Sequence, residues 1–328
     1  MRSQDLPKRE VFRGLQVRRI AGLRELRTLI SEGFDVVHAH MPRRVLTLSA
    51  LFAAKQRGLP TVLTPHCFYP SRKWFWRGLK AVYDATLLRY TFGLADRVIN
   101  LTEQDRDDAV ARGLRVGKSC VIPNSVRVSD LASVGGADFR AQYDLPWEFL
   151  LFIGRFDWVK NVEFLVHAQR HLPRTLGLVL IGQDGGRLGS VRRLIYELGV
   201  SDRVRIIERA QFRDLCGAYQ QARALVLASL YEGLPTVILE AMYFGCPVVA
   251  SRTGGVPYVL REEAPGLTYP LGDEGAYIRA VNETLFAGRD VEKRGRKLVE
   301  REYAWEVNAA GVLSLYQELH AAHSAAVA

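Results

Sequence analysis

Residues 228–241 read ASLYEGLPTVILEA, and the fold follows from how that run is parsed. Ahead of it, Ala224–Ala228 (ALVLA) is a short apolar stretch of the kind that fills a strand buried on both faces. Gly233 permits a tight turn and Pro235 suits the first position of a helix, which predicts strand, turn and then a helix over Thr236–Phe244. The first N–H groups of such a helix have no partner within it and lie at the C-terminal edge of the sheet, a ready place for a phosphate or diphosphate. Glu232 stands on the turn and Glu240 eight residues further on, inside the helix. A glutamate 4 Å from a bound diphosphate is repelled by roughly 4 kcal/mol at an effective dielectric near 20. Such a pair needs other work, and sugar or ribose hydroxyls, which donate hydrogen bonds to carboxylates, supply it. Taken alone, two glutamates are as readily surface or capping residues.

Working outward, strands and helices alternate along the whole chain, which predicts α/β architecture with parallel sheets. In the second half, strands are expected at Phe149–Ile153, Gly177–Ile181, Val204–Ile207, Ala224–Ala228 and Pro247–Ala250, with helices between them. In the first half the expected strands are Phe34–Ala39, Pro60–Thr64, Asp96–Leu101 and Ser119–Ile122. Helices are expected at Ala21–Glu32, up to about Arg57, over roughly Lys73–Phe92, and from Glu103 to Ala111. The stretch Ser129–Pro146 reads as a connection, giving an N-terminal domain over 1–146, a second over 147–304 and a C-terminal helix over 305–328. Two sheets so joined put a crevice between their C-terminal edges, where ligands of open α/β sheets bind.

The first strand of the second half runs into IGRFDWVKN. Gly154 lets the backbone approach a ligand, and Arg155 and Lys160 set two cations near the strand edge, where they would neutralise a diphosphate as it leaves. A solvated basic turn is the alternative. His66, in TPHC, follows a strand and could hydrogen-bond a sugar hydroxyl while neutral at pH 7. A lone histidine there is more often structural, and His38 and His40 in VHAHMP are given no catalytic role.

Glu-x7-Glu on strand–turn–helix, G-R-x4-K after an earlier strand, IPNSV before the connection and TGGVP near Gly254 together resemble the GT-B glycosyltransferases of family 4, from about Phe34 to Leu271. The resemblance implies two Rossmann-like domains and a retaining transfer of a sugar from a nucleotide-diphosphate sugar, the leaving phosphate taking the acceptor proton. Arg155, Lys160, Gly233 and Leu234 would bind the donor diphosphate and Glu240 the nucleotide ribose. Glu232 and His66 would lie at the transferred sugar as catalytic residues. No metal and no cofactor beyond the donor substrate is expected, and the acceptor would be a glycan, a lipid-linked saccharide or a small molecule. Glu208 stands where the family has glycine near the base, and Tyr258 where an acidic residue is common. Family members open with a strand and a Gly-rich loop that nothing before Phe34 supplies. The N-terminal domain is therefore expected to be incomplete, with an open sheet edge for a protein partner to cover. This keeps two other functions open: a partner-dependent, non-catalytic nucleotide-sugar-binding subunit, and a nucleotide-sugar epimerase.

Composition limits the partners. The chain has 328 residues, 48% hydrophobic and 24% charged, ordinary for a globular protein. The N-terminus lacks the apolar core of a signal peptide, and the four cysteines have no metal-ligand or CxxC spacing, which predicts a cytoplasmic protein. Residues 1–146 hold 24 Lys and Arg against 14 Asp and Glu, whereas 147–328 hold 21 of each, so the whole +10 sits on the first half. Either an anionic partner or a basic proteome accounts for that. Trp74, Phe75 and Trp76 among Arg72, Lys73, Arg77 and Lys80 suit an anionic membrane interface, equally a helix that packs its aromatics inside. Nucleic-acid binding is not expected, because no recognisable module accompanies the charge.

Overall fold

The computed structural model describes residues 7–68, 74–136, 138–261, 264, 266–286 and 290–327. Two compact units are formed, the first from residues 1–99, 108–120 and 314–328 and the second from 100–107 and 121–313.

The first unit opens with strands β1 (Arg9–Phe12) and β2 (Leu15–Arg18), an antiparallel pair forming its own two-stranded sheet. Helix α1 (Leu23–Ile30) follows, burying Leu26 and Ile30 against Ala53. The main sheet has the order β3 (Val37–His40), β4 (Thr61–Thr64), β5 (Arg97–Asn100), β6 (Ser119–Val121), with β3–β4 and β4–β5 parallel. Helix α2 (Val45–Gln56) joins β3 to β4. The long helix expected over 73–92 is interrupted: α3 (Trp74–Tyr83) passes through a π-helical turn, Asp84–Leu88, into α4 (Arg89–Leu94). Asp84 on that turn takes a bidentate pair of hydrogen bonds from Arg43, at 3.0 and 2.6 Å. Leu88 and Phe92 reach the core with Leu51, Leu63 and Val98. The side chains of Trp74, Phe75, Trp76 and Arg77, and residues Arg72 and Lys73, lie outside the described residues. Helix α5 (Glu103–Ala111) spans the change from one unit to the other.

The second unit begins before the expected boundary at 146. Helices α6 (Val128–Ser133) and α7 (Phe139–Gln142) occupy the stretch read as a connection. They belong to this unit because Leu131, Phe139 and Leu145 are buried in its core, the Phe139 ring 5.7 Å from that of Phe149. The chain then alternates: β7 (Glu148–Ile153), α8 (Val162–Gln169), β8 (Leu176–Ile181), α9 (Leu188–Glu197), β9 (Val204–Ile207), α10 (Phe212–Gln221), β10 (Ala224–Leu227), α11 (Thr236–Tyr243), β11 (Val248–Ser251), α12 (Val256–Val259) and β12 (Gly266–Tyr269). The sheet order is β12-β11-β10-β7-β8-β9, every neighbouring pair parallel. All six residues of β8 and all four of β10 are buried, as expected of strands covered on both faces. Helices α13 (Glu274–Phe286), α14 (Asp290–Glu302) and α15 (Trp305–Val327) complete the chain. The last is not a separate element: its residues to 313 count with the second unit and those from 314 with the first.

This order has one reversal. β7 runs to β8 and β9 on one side, and the chain then returns to lay β10 on the other. The loops after β7 and β10 lie side by side at this reversal, the place where doubly wound sheets bind their ligands.

Candidate functional site

The turn after β7 and the turn after β10 meet at that reversal. The Lys160 ammonium lies 2.6 Å from Glu232 Oε1, and the Ser229 hydroxyl donates to the same oxygen at 2.5 Å. Glu232 is only 5% exposed, and those two donors are the partners its buried carboxylate oxygen has. Asp157 builds the turn that presents the lysine: its Oδ1 accepts the N–H of Val159 and of Lys160, at 3.0 and 3.1 Å. Its Oδ2 takes a hydrogen bond from Arg155 at 2.8 Å. The Arg155 side chain is 73% exposed, a cation held at one root and otherwise in solvent. The two loops are tied directly by the Leu230 N–H, which donates to the Val159 carbonyl at 2.7 Å.

Helix α11 starts at this point. Its N-cap is Pro235, one residue earlier in the helix frame than expected, and no side chain caps it. Its leading N–H groups are therefore open to a ligand. Leu234 has its side chain buried, so only its main chain can serve an anion; its carbonyl accepts from Asn124 Nδ2 at 2.9 Å, which draws the IPNSV segment to the turn. The TGGVP loop after β11 closes the other side. Gly255 N–H donates to the Gly233 carbonyl at 2.9 Å, and Ser251 Oγ to the Ser229 carbonyl at 2.7 Å. Glycine is required at two of these approaches. A Cβ on Gly254 (φ +50) would lie 1.7 Å from the Glu232 carbonyl oxygen, and one on Gly182 (φ +157) 1.8 Å from that of Gly154.

Glu240 lies further along α11, where its Oε2 accepts the Tyr219 hydroxyl at 2.7 Å. Burial raises its pKa above the usual carboxylate value, partly opposed by that hydrogen bond. Of the residues named from the sequence, Arg155, Lys160, Glu232, Gly233, Leu234 and Glu240 belong to the second unit and His66 to the first, and the structure joins Lys160 with Glu232 directly. Sequence reasoning missed Ser229, Asp157 and Tyr219. Asp157 had a signal, lying between the two predicted cations; Ser229 and Tyr219 had none, because their partners are fixed by packing. Glu208 is a half-exposed surface residue paired with Arg192 at 2.6 Å. A cavity of about 1210 Å³ opens at the opposite edge of the sheet, beside Pro146, Ala222, Pro247 and Gly266. Those residues precede or begin strands, so it is not the strand-end crevice.

In the first unit, β3 and β4 both end in left-handed backbone on non-glycine residues, Met41 (φ 61) and His66 (φ 65). Strain of this kind is held only where surroundings fix it. His66 Nε2 and His40 Nδ1 are hydrogen-bonded at 2.9 Å, their rings stacked 5.0 Å apart. His38 stacks on His40 at 4.4 Å and uses both ring nitrogens, with Tyr316 Oη at 2.5 Å and Thr64 Oγ1 at 2.8 Å. Burial lowers the pKa of all three, that of His38 to about 3. The structure thus adds His40 to His66, a partner the sequence reading set aside.

Two parallel Rossmann-like sheets, the second with a cation, a buried carboxylate and an uncapped helix at its switch point, define a GT-B glycosyltransferase architecture. Comparison with known proteins agrees. The profile of Glycosyl transferases group 1 matches residues 139–301, and that of the Glycosyl transferase 4-like domain matches residues 2–125. The chain belongs to the group 1 glycosyl transferases. It is 30% identical over 244 residues to a D-inositol 3-phosphate glycosyltransferase of Streptomyces bingchenggensis, covering 69% of this chain and 53% of that enzyme. It therefore spans about half the length of that curated relative. Sucrose-phosphate synthase from Thermosynechococcus elongatus is similar in structure, with a TM-score of 0.80 and 25% identity over 97% of this chain and 87% of that one. Anabaena HepE, solved in complex with UDP-glucose, has the same fold at a TM-score of 0.73 and 19% identity, over 92% of this chain and 82% of that one.

Proposed function

We propose that this chain transfers a sugar, with retention of anomeric configuration, from a nucleotide-diphosphate sugar to a hydroxyl acceptor. The observation that carries the reading is the Lys160–Glu232 pair at the switch point, beside the uncapped start of α11. Lys160 exchanges part of its contact with Glu232 for the donor diphosphate, and the main-chain N–H groups from Gly233 onward bind the same anion. Arg155, exposed beyond its tie to Asp157, closes on the phosphates when they arrive. Glu232, released from the lysine, accepts hydroxyls of the transferred sugar, and Glu240 accepts those of the ribose. As the glycosyl–phosphate bond breaks, the developing charge falls on an oxygen already facing a cation and a helix amino end. That oxygen takes the proton of the attacking acceptor hydroxyl. His66 hydrogen-bonds the sugar or the acceptor as a neutral imidazole.

The HepE complex with UDP-glucose supports a uridine donor as the first to try. Calorimetric titration with UDP and a transfer assay test the reading. Lys160→Ala is expected to weaken donor binding by about 10- to 100-fold, the loss of a charge-assisted contact of ~1.5–3 kcal/mol. Parental donor affinity in both Lys160→Ala and Glu240→Ala would refute the site.

A partner-dependent form of this activity is favoured by the sheet order, in which β3 is an edge strand and the β1–β2 hairpin stands apart. It predicts donor binding without turnover until a partner is added. The basic first half is assigned to an anionic membrane on the inner face of which the enzyme works, with a lipid-linked or other saccharide as acceptor.

A further inference from the structure

The β1–β2 hairpin is built unlike a solvated surface turn. Its register pairs Phe12 with Leu15 across a two-residue loop, Arg13–Gly14, both at positive φ (50 and 82) as tight hairpins require. At the tip Val11, Phe12 and Leu15 are 73%, 59% and 68% exposed; Phe12 and Leu15, a cross-strand pair, project from one face and Val11 from the other, so the tip is apolar on both sides. Behind the tip, a groove of about 430 Å³ separates the hairpin from α1 and is lined by Lys8, Arg9, Arg18, Arg19 and Arg24 among others. Arg18 is neutralised by Glu32 at 2.5 Å and Arg19 by Glu10, while Glu25 accepts the Ala21 N–H at 2.8 Å. Lys8, Arg9 and Arg24 have no ion pair among the described residues. Over residues 7–32 there are seven Lys and Arg against three Glu, a net +4.

We propose that this hairpin and groove dock the enzyme on an anionic bilayer, the tip of Val11, Phe12 and Leu15 entering the headgroup–acyl boundary and Lys8, Arg9 and Arg24 taking lipid phosphates. Apolar side chains flanked by uncommitted cations are the two components of interfacial binding. Charge selects this occupant over a second copy of the chain, whose identical +4 surface would face like with like. A phosphate in solution would satisfy the groove and leave the apolar tip in water. The inference rests on the membrane surface assigned above, and it is independent of the donor chemistry.

The test is flotation of the full chain with vesicles of phosphatidylcholine alone or with roughly one third phosphatidylglycerol. The parent is expected to bind only the anionic vesicles and to release as salt is raised. Each basic side chain near such a surface contributes about a fivefold partition, so Lys8→Glu/Arg9→Glu/Arg24→Glu is expected to lower binding by about a hundredfold or more. Phe12→Ser/Leu15→Ser, with the charge unchanged, is expected to lower it at least about tenfold, since each loses more than one buried methylene's worth of transfer energy. UDP affinity, measured in parallel, stays at the parental value in both variants and shows that they are folded. Vesicle binding that ignores the tip substitutions, hairpin-dependent dimerisation without lipid, or equally tight binding of soluble glycerol phosphate would each overturn the docking site. A parent that binds no vesicle removes the membrane reading with it. Loss of UDP binding in the parent, with vesicle binding intact, counts against the donor reading alone.

Discussion

Glu240, proposed above to accept the ribose hydroxyls, sets stability against that proposed role. Its folded pKa is raised by burial, so it stabilises the fold fully below the unfolded carboxylate pKa, and that contribution is lost as pH rises through the folded value. Glu240→Gln removes the buried charge and keeps an acceptor for the Tyr219 hydroxyl. It is expected to hold or raise the melting temperature at pH 7 while weakening UDP binding about tenfold, a split that thermal melts and calorimetry report together. In the parent, donor affinity is expected to climb with pH through the raised Glu240 value, and in the Gln variant that slope disappears. His38 gives the reverse case. Its pKa is lowered to about 3, so the unfolded chain takes up a proton near pH 6.5 that the folded chain refuses. Stability from this group is present above 6.5 and falls as pH drops toward 3. Acid melts of His38→Gln are expected to show a weaker loss between pH 6 and 4 than the parent. Sequence could name both residues, but not their environments, since Tyr219 lies 21 positions from Glu240 and Tyr316 lies 278 from His38.

At the scale of elements, the strand–turn–helix units were legible because their apolar runs are short, contiguous and bounded by Gly or Pro. Strand β9 falls at the expected residues, and β7, β8, β10 and β11 within one residue of them at each end. The hairpin β1–β2, strand β12 and helices α6, α7, α12 and α14 were not expected. The connection read into Ser129–Pro146 is helical because Phe139 and Leu145 find a core, which a local pattern of polar residues does not reveal. The site depends on loops touching at main-chain distance. Gly182→Ala puts a methyl on the Gly154 carbonyl at a φ that side chains rarely adopt. It is expected to destabilise the second unit by about 3 kcal/mol or more and to displace the Arg155–Lys160 turn, seen as a lower unfolding midpoint in urea and weakened UDP binding. Gly186→Ala, where a Cβ meets nothing within 4 Å, is the control for the loop. It also sits at positive φ (+97), so a loss of about 1 kcal/mol without loss of UDP affinity is expected.

Over the whole molecule, the residues proposed to bind the donor belong to the second unit and His66 to the first. A ligand that binds only the folded site stabilises it by about 2.7 kcal/mol at a hundred times its dissociation constant. Hydrogen exchange with saturating UDP is therefore expected to slow most at residues 154–160 and 229–240, and uniform protection along the chain would contradict that assignment. No described helix is long and apolar enough to cross a membrane. By itself the sequence determined the α/β class, the order of the elements and the residue types at the strand ends, because hydrophobic period and turn chemistry are local properties. Only the tertiary structure decided that Lys160 and Glu232 form a pair, that His40 holds His66, and that the division falls near 120 with α15 shared between the units. Those depend on which strands become neighbours and which side chains find a buried face, and neither is written in any one stretch of the chain.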